Sequence, residues 1–501
     1  MFSIALRAIV VATALMAVLL AVLAVRRGRA VRALGRLYST AVKAFFRRRR
    51  ATAYNGDAAA RRQEIAKLAV RAGSGVLGTR IRSRFVGREK RARMREEAAV
   101  NAARDAAVTM GEMKGLAMKI AQLAPVVAPM GDDAAAEMAV LQTSAPPMDA
   151  DVIIGVLREE LGADVMDRFA HFETEPLAAA SIGQVHRGVL DDGRDVVLKV
   201  QYPGIDQAVL ADLEAFDEFM QLYSIAGADF GPVMADMERT LRDELDYRKE
   251  GSNQSYFARK YARHPFVKVP DVISELSTGR VLTSEFVAGE RFYGVLDRPQ
   301  AQRDRWGEII YRFALGSVLE GRFTGDPHPG NYLFMDDGRI CFIDFGFVEC
   351  FDDPVRDTAV VAEPLIGALI GDQARVEGGL RAMGFEVPKA KTDYAKLWRE
   401  FHFSLYGPVD DDRAARIEGD AVFASLRDAN KLGSEASKLM MKSTTFRPWL
   451  FMVMRYVAGT LAVLGKLHSE ANWHRIAREL ALGEPPATEV GQRWAAHYAN
   501  T

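Results

Sequence analysis

The spacing of apolar and polar positions predicts that the first third of the chain is helical. Residues 30 to 110 are rich in Arg, Ala and Glu and have helical periodicity, and residues 111 to 170 continue the pattern. Pro146 and Pro147 interrupt the second region, because proline is not tolerated inside a helix. Asp149 follows at a position where its side chain can cap the next helix.

Near Pro176 the pattern changes to that of strands. ASIGQVHRGVL, RDVVLKVQY and GRVLTSEFV alternate and are rich in β-branched residues, and Asp-Asp-Gly at 191–193 is typical of a hairpin turn. Helical patterns return from about residue 290, apart from a short strand pair in YLFMDDGRICFID. A strand-rich lobe followed by a helical lobe predicts an α+β fold.

An apolar run near the N-terminus predicts a membrane anchor. From Ala8 to Val25 there are 18 residues without a charge, which form roughly 27 Å of helix. A cleaved signal peptide and a buried core helix are the alternatives. Arginines follow the run directly, however, where a signal peptide needs a small-residue cleavage site. The positive-inside rule then places the body of the protein in the cytoplasm, behind a single N-terminal span.

Composition and charge are typical of a globular protein with a basic N-terminal segment. The chain has 501 residues, 49% of them hydrophobic, and a net charge of zero, which suits a globular protein of more than one domain. Its first acidic residue is Asp57, so the N-terminal segment is a basic arm on a balanced body. Two cysteines provide neither a disulfide framework nor zinc spacing, in agreement with a reducing compartment.

Candidate chemistry is concentrated in FTGDPHPGNYLFMDDGRICFIDFGF, residues 323–347. Asp326, Asn331 and Asp344 follow the order of the catalytic-loop Asp, the Asn and the Asp-Phe-Gly of protein kinases. Asn331 and Asp344 supply the oxygen ligands that Mg²⁺ prefers, alongside nucleotide phosphates. Asp326 is placed to orient or deprotonate an attacking hydroxyl or water. Ordinary turn residues are the alternative, but a strand between the two parts of the motif favours a magnesium-nucleotide site.

A nucleotide site of this type needs a lysine from an earlier strand, and RDVVLKVQY supplies Lys199. A lysine buried in a strand is costly unless a carboxylate pairs with it. LRDELDYRKEGSNQ offers three candidates on a predicted helix, namely Glu244, Asp246 and Glu250. A solvated helix face is the alternative for this stretch.

The segment before Lys199 departs from the glycine-rich loop of protein kinases. Ala178, Ala179, Ala180 and Ser181 stand where glycines would let the backbone close over phosphates, and only Gly183 remains. Alanine disfavours positive φ, so we expect these four residues to bind nucleotide with a different phosphate geometry.

LAAASIGQVHRG, VVLKVQYPGI, ELDYRKE, GDPHPGN and IDFG, in this order, resemble the UbiB/ADCK (AarF-domain) family of atypical kinases over roughly residues 105 to 465. The resemblance implies a protein-kinase-like bilobal fold behind a family-specific helical extension. That extension carries a Lys-x-Gly-Gln motif that folds over the active site and obstructs protein substrates. Its counterpart here is Lys119 to Gln122, with Ala121 in place of the glycine; a helix with a surface lysine is the alternative.

The same resemblance assigns further site residues. Glu244 and Asp246 correspond to a Glu-x-Asp pair that faces the extension and has a regulatory role, and Glu250 corresponds to the glutamate that pairs with Lys199. Glu285 to Val287 correspond to the hinge whose backbone receives the adenine. His328 is expected to be structural, because the chemistry of its loop is complete without it.

The motifs and the resemblance together divide the chain into six predicted regions. They are a transmembrane anchor (1–28), a charged helical linker (29–104), the helical extension (105–170), a small lobe (171–290), a helical large lobe (291–470) and a C-terminal tail (471–501). WLFMVMRYVAGTLAVLG in the large lobe is apolar but contains Arg455, which favours a buried helix over a second membrane span.

The function expected from this resemblance is that of a membrane-associated Mg-ATP-binding ATPase or atypical kinase. Family members act in or near ubiquinone and other prenyl-lipid pathways, so the expected partners are ATP, membrane or prenyl lipids and lipid-biosynthesis enzymes, with no nucleic acid. Two alternatives stay open: a nucleotide-gated scaffold of a lipid-biosynthesis complex, and a Ser/Thr protein kinase.

Overall fold

The computed structural model describes most of the chain from residue 148 onward. The described residues are 148–179, 182–207, 209, 210, 238, 242–385, 394–418 and 447–499. The helices are α1 (Ala150–Leu161), α2 (Tyr247–Lys260), α3 (Gln300–Leu319), α4 (Pro354–Ile370), α5 (Gln373–Ala382), α6 (Tyr394–Tyr406), α7 (Pro448–Leu467), α8 (Trp473–Leu482) and α9 (Glu489–Ala499). The strands are β1 (Phe169–Phe172), β2 (Ala178–Ala179), β3 (Gly183–Leu190), β4 (Asp195–Gln201), β5 (Val267–Lys268), β6 (Val281–Glu285), β7 (Glu290–Arg291), β8 (Arg322–Thr324), β9 (Tyr332–Phe334), β10 (Ile340–Phe342), β11 (Val348–Cys350), β12 (Ala415–Arg416) and β13 (Glu470–Ala471).

A five-stranded antiparallel sheet forms the small lobe. Its order is β1-β3-β4-β6, with β2 paired to β3. The turn between β3 and β4 contains Gly193 at φ +87°, a conformation that glycine adopts without steric cost. The hairpin predicted from Asp-Asp-Gly is therefore confirmed.

Strand β4 shows why Lys199 faces the site. Val196, Leu198 and Val200 are fully buried and belong to the same core as Ile153 of α1. Because side chains alternate across a strand, Lys199 lies on the opposite face of the sheet. The alternation of the sequence thus fixes the direction of the lysine before any charge is considered.

Helix α2 packs against this sheet through one buried stripe. Tyr247, Glu250, Gln254 and Phe257 recur at helical spacing and are all buried. Gly251 lies in the same stripe, where a Cβ would stand 3.2 Å from the side chain of Leu282 on β6. The close packing holds Glu250 at the sheet.

Asp149, which was predicted to cap a helix, and Asp246, which was not, both occupy N-cap positions. Asp246 caps α2, since its side chain accepts a hydrogen bond from the Arg248 backbone N–H at 3.1 Å. Asp149 occupies the N-cap position of α1, but its side chain makes no capping hydrogen bond. The position of Asp149 was predicted correctly, and its capping bond was not.

The large lobe is helical and is centred on α3. Arg312 of α3 is 1% exposed and forms ion pairs with Glu308 and with Glu479 of α8. Trp473 and Ile476 of α8 are also buried in this core. Residues beyond 470, predicted to be a tail, therefore extend the large lobe as packed helices, because their apolar stripe is covered by α3.

Short strands bring the motif residues to one side of this lobe. The predicted strand pair is present as β9 and β10, which lie in a sheet of order β5-β10-β9-β7. Strands β8 and β11 pair with each other; β8 ends two residues before Asp326, and β11 begins two residues after Gly346. These pairings fix both ends of the segment from 325 to 347.

Candidate active site

An ion pair between Lys199 and Glu250 joins the sheet to α2. The Lys199 ammonium donates to Glu250 Oε1 at 2.7 Å and to Oε2 at 2.9 Å, and Glu250 is 4% exposed. Burial on its own lowers the pKa of Lys199, but the carboxylates of Glu250 and Asp344 outweigh it. The pKa of Lys199 is therefore raised, and the ammonium stays charged beside the site.

The Asp-Phe-Gly segment is packed under the same helix. Phe345 is fully buried, with its ring 5.0 Å from that of Phe257, centroid to centroid. Gly346 passes so close to α2 that a Cβ would lie 3.3 Å from Glu250 Oε2, and its N–H donates to Asp344 Oδ1 at 3.0 Å. Asp344 is thereby oriented beside the ion pair.

The loop of Asp326 is held against the segment that follows Asp-Phe-Gly. The Gly325 N–H donates to the Phe347 carbonyl at 2.7 Å, and the Phe347 ring occupies the space that a Cβ on Gly325 would need. Asn331 Nδ2 donates to the Asp326 carbonyl at 2.8 Å, and the Ile343 N–H donates to the Asn331 carbonyl at 3.2 Å. These bonds place the chain segments that carry Asp326, Asn331 and Asp344 next to one another.

His328 has the structural role that was expected of it. Its Nδ1 accepts a hydrogen bond from the Gly330 N–H at 3.0 Å and caps the short helical turn Pro329–Asn331. Pro327, Pro329 and this cap restrict the backbone conformation of the loop.

The donor set at Asn331 and Asp344 fits Mg²⁺. In the part of the chain that the structure describes, no group of three or more His, Cys, Asp or Glu residues can hold a metal ion. Mg²⁺ is commonly bound through one or two protein oxygens together with substrate phosphates, so one carboxylate and one amide suit it. A structural zinc or calcium cage would need more protein ligands.

Two side chains that the sequence reasoning missed tie these parts together. Asn253, three residues after Glu250 on α2, donates to the Phe345 carbonyl at 3.3 Å and accepts from Arg322 at 2.8 Å. Arg322 lies on β8, ahead of Asp326, and its guanidinium stacks 3.9 Å from the centroid of the Tyr256 ring. The i, i+3 spacing of Glu250 and Asn253 was the available signal, because such residues share a helix face.

The first two residues of the alanine-rich segment form a strand. Ala178 and Ala179 form β2 and pair with Val185 and Gln184 of β3. Arg291, on β7, donates to the Leu177 carbonyl at 3.2 Å, directly before this strand. The segment is therefore held by hydrogen bonds on two sides.

The Gln-Val-His part of the next motif binds backbone rather than ligand. Gln184 is fully buried, accepts from the Met148 N–H at 3.0 Å and donates to the Met148 carbonyl at 3.2 Å. The Glu173 carbonyl accepts from His186 Nδ1 at 2.9 Å, so His186 Nε2 is the acceptor for Gln184. Burial lowers the pKa of His186, which keeps the imidazole neutral in this chain of bonds.

At the predicted hinge, the backbone N–H groups of Glu285 and Val287 differ in whether they are open to bind a base. The Glu285 side chain binds Lys268 at 2.6 Å, and its N–H donates to the Asp271 carbonyl at 2.8 Å. The Val287 N–H makes no hydrogen bond to another described residue. Adenine recognition at Val287 stays a prediction. The Glu285 N–H already donates to Asp271, so it is not open to a base.

The remaining predicted residues are only partly described. Glu244 lies near enough to Glu250 that its charge raises the pKa of that carboxyl, although burial is the larger cause and Lys199 opposes both. Asp246 serves as the cap of α2. Lys119, Gln122, Ala180 and Ser181 lie outside the described residues, so their predicted roles are not tested.

Comparison with known proteins agrees with this geometry. Residues 140–378 match the model of a family described as the ABC1 atypical kinase-like domain. This part of the chain is an atypical kinase-like domain of the ABC1, or UbiB/ADCK, family. The resemblance predicted from the motifs is thus confirmed, and with it a kinase-like α+β fold. Such a domain implies ATP binding and an activity of the general kinase or ATPase type.

Relatives cover different parts of the chain. It is 35% identical over 302 residues to Protein ACTIVITY OF BC1 COMPLEX KINASE 8, chloroplastic, of Arabidopsis thaliana, across 58% of this chain and 39% of the relative. It is 30% identical over 294 residues to Atypical kinase coq-8, mitochondrial, of Caenorhabditis elegans, across 55% and 38%. The chain thus spans well under half the length of these two relatives.

A solved structure shares the fold over most of its length. The chain in the complex structure of Rv3197-erythromycin from Mycobacterium tuberculosis is 27% identical, with a TM-score of 0.57. The match covers 75% of this chain and 95% of that one.

No helix within the described ranges is both long and apolar enough to cross a membrane. Helix α7, which carries Arg455, is buried as predicted, with Leu450, Val453 and Leu461 fully inaccessible. The anchor predicted over 1–28 lies outside the described residues.

Proposed function

We propose that the protein is an Mg-ATP-dependent phosphoryl-transfer enzyme that hydrolyses ATP or phosphorylates a small molecule. The observation that carries the proposal is the arrangement of Lys199, Glu250 and Asp344. The ion pair is closed, Phe345 is buried beneath α2, and Asp344 lies near enough to Lys199 for its charge to raise the pKa of the lysine. A protein-kinase-type site needs this state for transfer.

Each residue has a defined task in the proposed reaction. Lys199 holds the ATP phosphates, and Glu250 keeps the Lys199 ammonium in place. Asn331 and Asp344 are the residues that would hold Mg²⁺, which supplies positive charge to the phosphates when bound. Asp326 orients the attacking hydroxyl and accepts its proton, while the bond from the γ-phosphorus to the ADP oxygen breaks and a bond to the acceptor oxygen forms.

Hydrolysis or small-molecule transfer is favoured over a Ser/Thr protein kinase. Ala178 to Ser181 stand where protein kinases carry the glycines of their flexible phosphate-binding loop. The predicted Lys119 to Gln122 motif adds to this argument, since its family counterpart obstructs protein substrates. A scaffold without turnover would not need Asp326, Asn331 and Asp344 held together by hydrogen bonds.

We place this activity at a membrane, in quinone or other prenyl-lipid metabolism. Support comes from the uncharged run from Ala8 to Val25 and from the UbiB/ADCK family to which the domain belongs. Deleting residues 1 to 28 should release the protein from membranes in carbonate extraction. Retention of the truncated protein as an integral membrane protein would place the anchor elsewhere.

The proposed function is tested by an assay of the purified protein and by a metabolite profile of cells. Phosphate release from ATP is measured with and without Mg²⁺, for the wild type and Asp344→Asn. Quinones and isoprenoids are profiled in cells that lack the protein and in cells that carry Asp344→Asn. Mg²⁺-dependent release that the variant lacks, with the same metabolite defect in both cell lines, supports the proposal. A variant that complements fully would favour the scaffold.

A further inference from the structure

Arg455 of α7 lies beside the proposed catalytic aspartate. Its Nη2 atom is 4.0 Å from Asp326 Oδ1, and its side chain is only 13% exposed. Arg455 stands beyond the end of the matched region, residues 140–378. Burying a charge is costly unless a partner compensates it. The position of this mostly buried arginine on an otherwise apolar helix, next to the catalytic loop, therefore indicates a functional role.

The packing of α7 fixes the arginine at this place. Gly459, one turn after Arg455, faces the catalytic loop so closely that a Cβ would lie 2.4 Å from Pro327 Cγ. The Arg455 guanidinium carbon is 5.3 Å from the centroid of the Phe347 ring, which itself packs against Gly325. Arg455 is thus lodged between the loop of Asp326 and the segment after Asp-Phe-Gly.

No described residue accepts a hydrogen bond from Arg455. Its distance from Asp326 exceeds that of a hydrogen bond, and the guanidinium makes no hydrogen bond to any other described residue. A guanidinium has five N–H donors and remains charged at every physiological pH. The group is therefore available to an anion that enters beside Asp326.

The catalytic loop itself supplies no such cation. Between Gly325 and Asn331 the catalytic loop contains neither lysine nor arginine. Phosphoryl transfer spreads negative charge over the oxygens of the moving group, and a positioned arginine stabilises that charge. Lys199 is assigned to the phosphates of bound ATP and is held by Glu250, whereas Arg455 lies beside Asp326, the residue that orients the attacking group.

We propose that Arg455 binds the transferred γ-phosphoryl group in the transition state and fills the role of the missing basic residue of the catalytic loop. The proposal rests on the phosphoryl-transfer function above and adds the residue that stabilises its charge. Because Arg455 acts on the moving group, its removal should lower turnover and leave the binding of ATP and ADP intact.

The experiment compares Arg455→Met, Arg455→Lys and the control Lys466→Met in the full-length protein. Lys466 is an exposed cation of the same helix, so its variant removes one positive charge from α7 away from the site. Three quantities are measured: ATP hydrolysis with Mg²⁺, the affinities for ATP and ADP, and thermal stabilisation by ADP with aluminium fluoride, an analogue of the transferred group.

Arg455→Met should reduce kcat about a hundredfold or more, as expected for the loss of one transition-state donor. Its ATP and ADP affinities should stay within about twofold of the wild type, while the extra stabilisation by aluminium fluoride disappears. Arg455→Lys should recover part of both signals, and Lys466→Met should match the wild type.

Equal stabilisation of Arg455→Met and wild type by ADP with aluminium fluoride would overturn the proposal. A parallel loss of ATP and ADP affinity in Arg455→Met would also overturn it, because such a loss indicates a structural role. The aluminium fluoride readout does not require turnover. Failure of the wild type itself to bind Mg-ATP would remove the proposed function, and this inference with it.

Discussion

The Lys199 ammonium lies 2.7 Å and 2.9 Å from the two carboxylate oxygens of Glu250. The two residues are 51 positions apart in the chain and belong to different elements of the small lobe. Their pairing leaves the lysine charged and fixes α2 against the sheet, with Phe345 beneath it.

The first prediction concerns this ion pair. Glu250→Gln should lower the free energy of unfolding by about 3 kcal/mol, because one buried charge is left without its partner. The double variant Lys199→Met/Glu250→Gln should recover much of that stability, since no buried charge remains. Denaturant unfolding gives both values, and nucleotide titration accompanies them. Recovery of ATP binding in the double variant would contradict the role assigned to Lys199.

The second prediction concerns Asn253. Asn253→Leu removes the hydrogen bonds to the Phe345 carbonyl and to Arg322, so Asp-Phe-Gly should lose its support on α2. We expect Mg-ATP affinity to fall about tenfold, or roughly 1.4 kcal/mol. Ser252→Ala, at an exposed neighbouring position of α2, is the matched control. Equal affinities in the two variants would show that the Asn253 bonds do not support the site.

Sequence reasoning reached much of this site, for identifiable reasons. The alternation of β4 determines the face on which Lys199 lies. One short hairpin, β9 and β10, separates Asn331 from Asp344, so residues close in the sequence are also close in the structure. Among the three carboxylates offered by ELDYRKE, residue chemistry left the choice open. The structure decides it through helix phase, because Glu250 shares the buried stripe of Tyr247 and Phe257, whereas Asp246 caps the helix.

Other features depended on contacts between distant segments. Arg455 was used in the sequence only as evidence against a membrane span, and its place at Asp326 follows from the packing of Gly459 on Pro327. The helices after residue 470 were missed because their only signal was an amphipathic stripe without a motif. Their burial depends on α3, more than 150 residues earlier in the chain.

The third prediction concerns pH. Burial, with His497 and Lys260 nearby, lowers the pKa of His264 to about 3, whereas the unfolded chain protonates this imidazole near 6.5. The unfolded state therefore binds the proton first, and stability is lost as the pH falls from about 6.5 toward 3. At pH 5 the loss should be about 2 kcal/mol relative to pH 7.5.

Denaturant unfolding at the two pH values measures this loss. His264→Gln should flatten the pH dependence, whatever its stability at neutral pH, and the exposed His171→Gln should leave the dependence unchanged. A His264 variant with the slope of the wild type would show that another group titrates.

The fourth prediction concerns the alanine strand. Ala179 is exposed on β2, so glycine at this position empties no core space and acts through the backbone. Ala179→Gly should free the strand to approach the phosphates and tighten ATP binding relative to ADP by about 1 kcal/mol. Separate titrations of ATP and ADP give the ratio. An unchanged ratio, or equal weakening of both nucleotides, would show that the alanines affect stability alone.

The central claim, a magnesium-nucleotide site at Asp344, is tested most directly by thermal denaturation of the wild type and Asp344→Asn with ATP, with and without Mg²⁺. The wild type should gain stability from ATP and Mg²⁺ together, and EDTA should remove the gain. Asp344→Asn keeps the size of the side chain but loses its charge, so it should unfold like the wild type without ligand and gain nothing when Mg²⁺ is added. A magnesium-dependent shift of equal size in the variant would contradict the account.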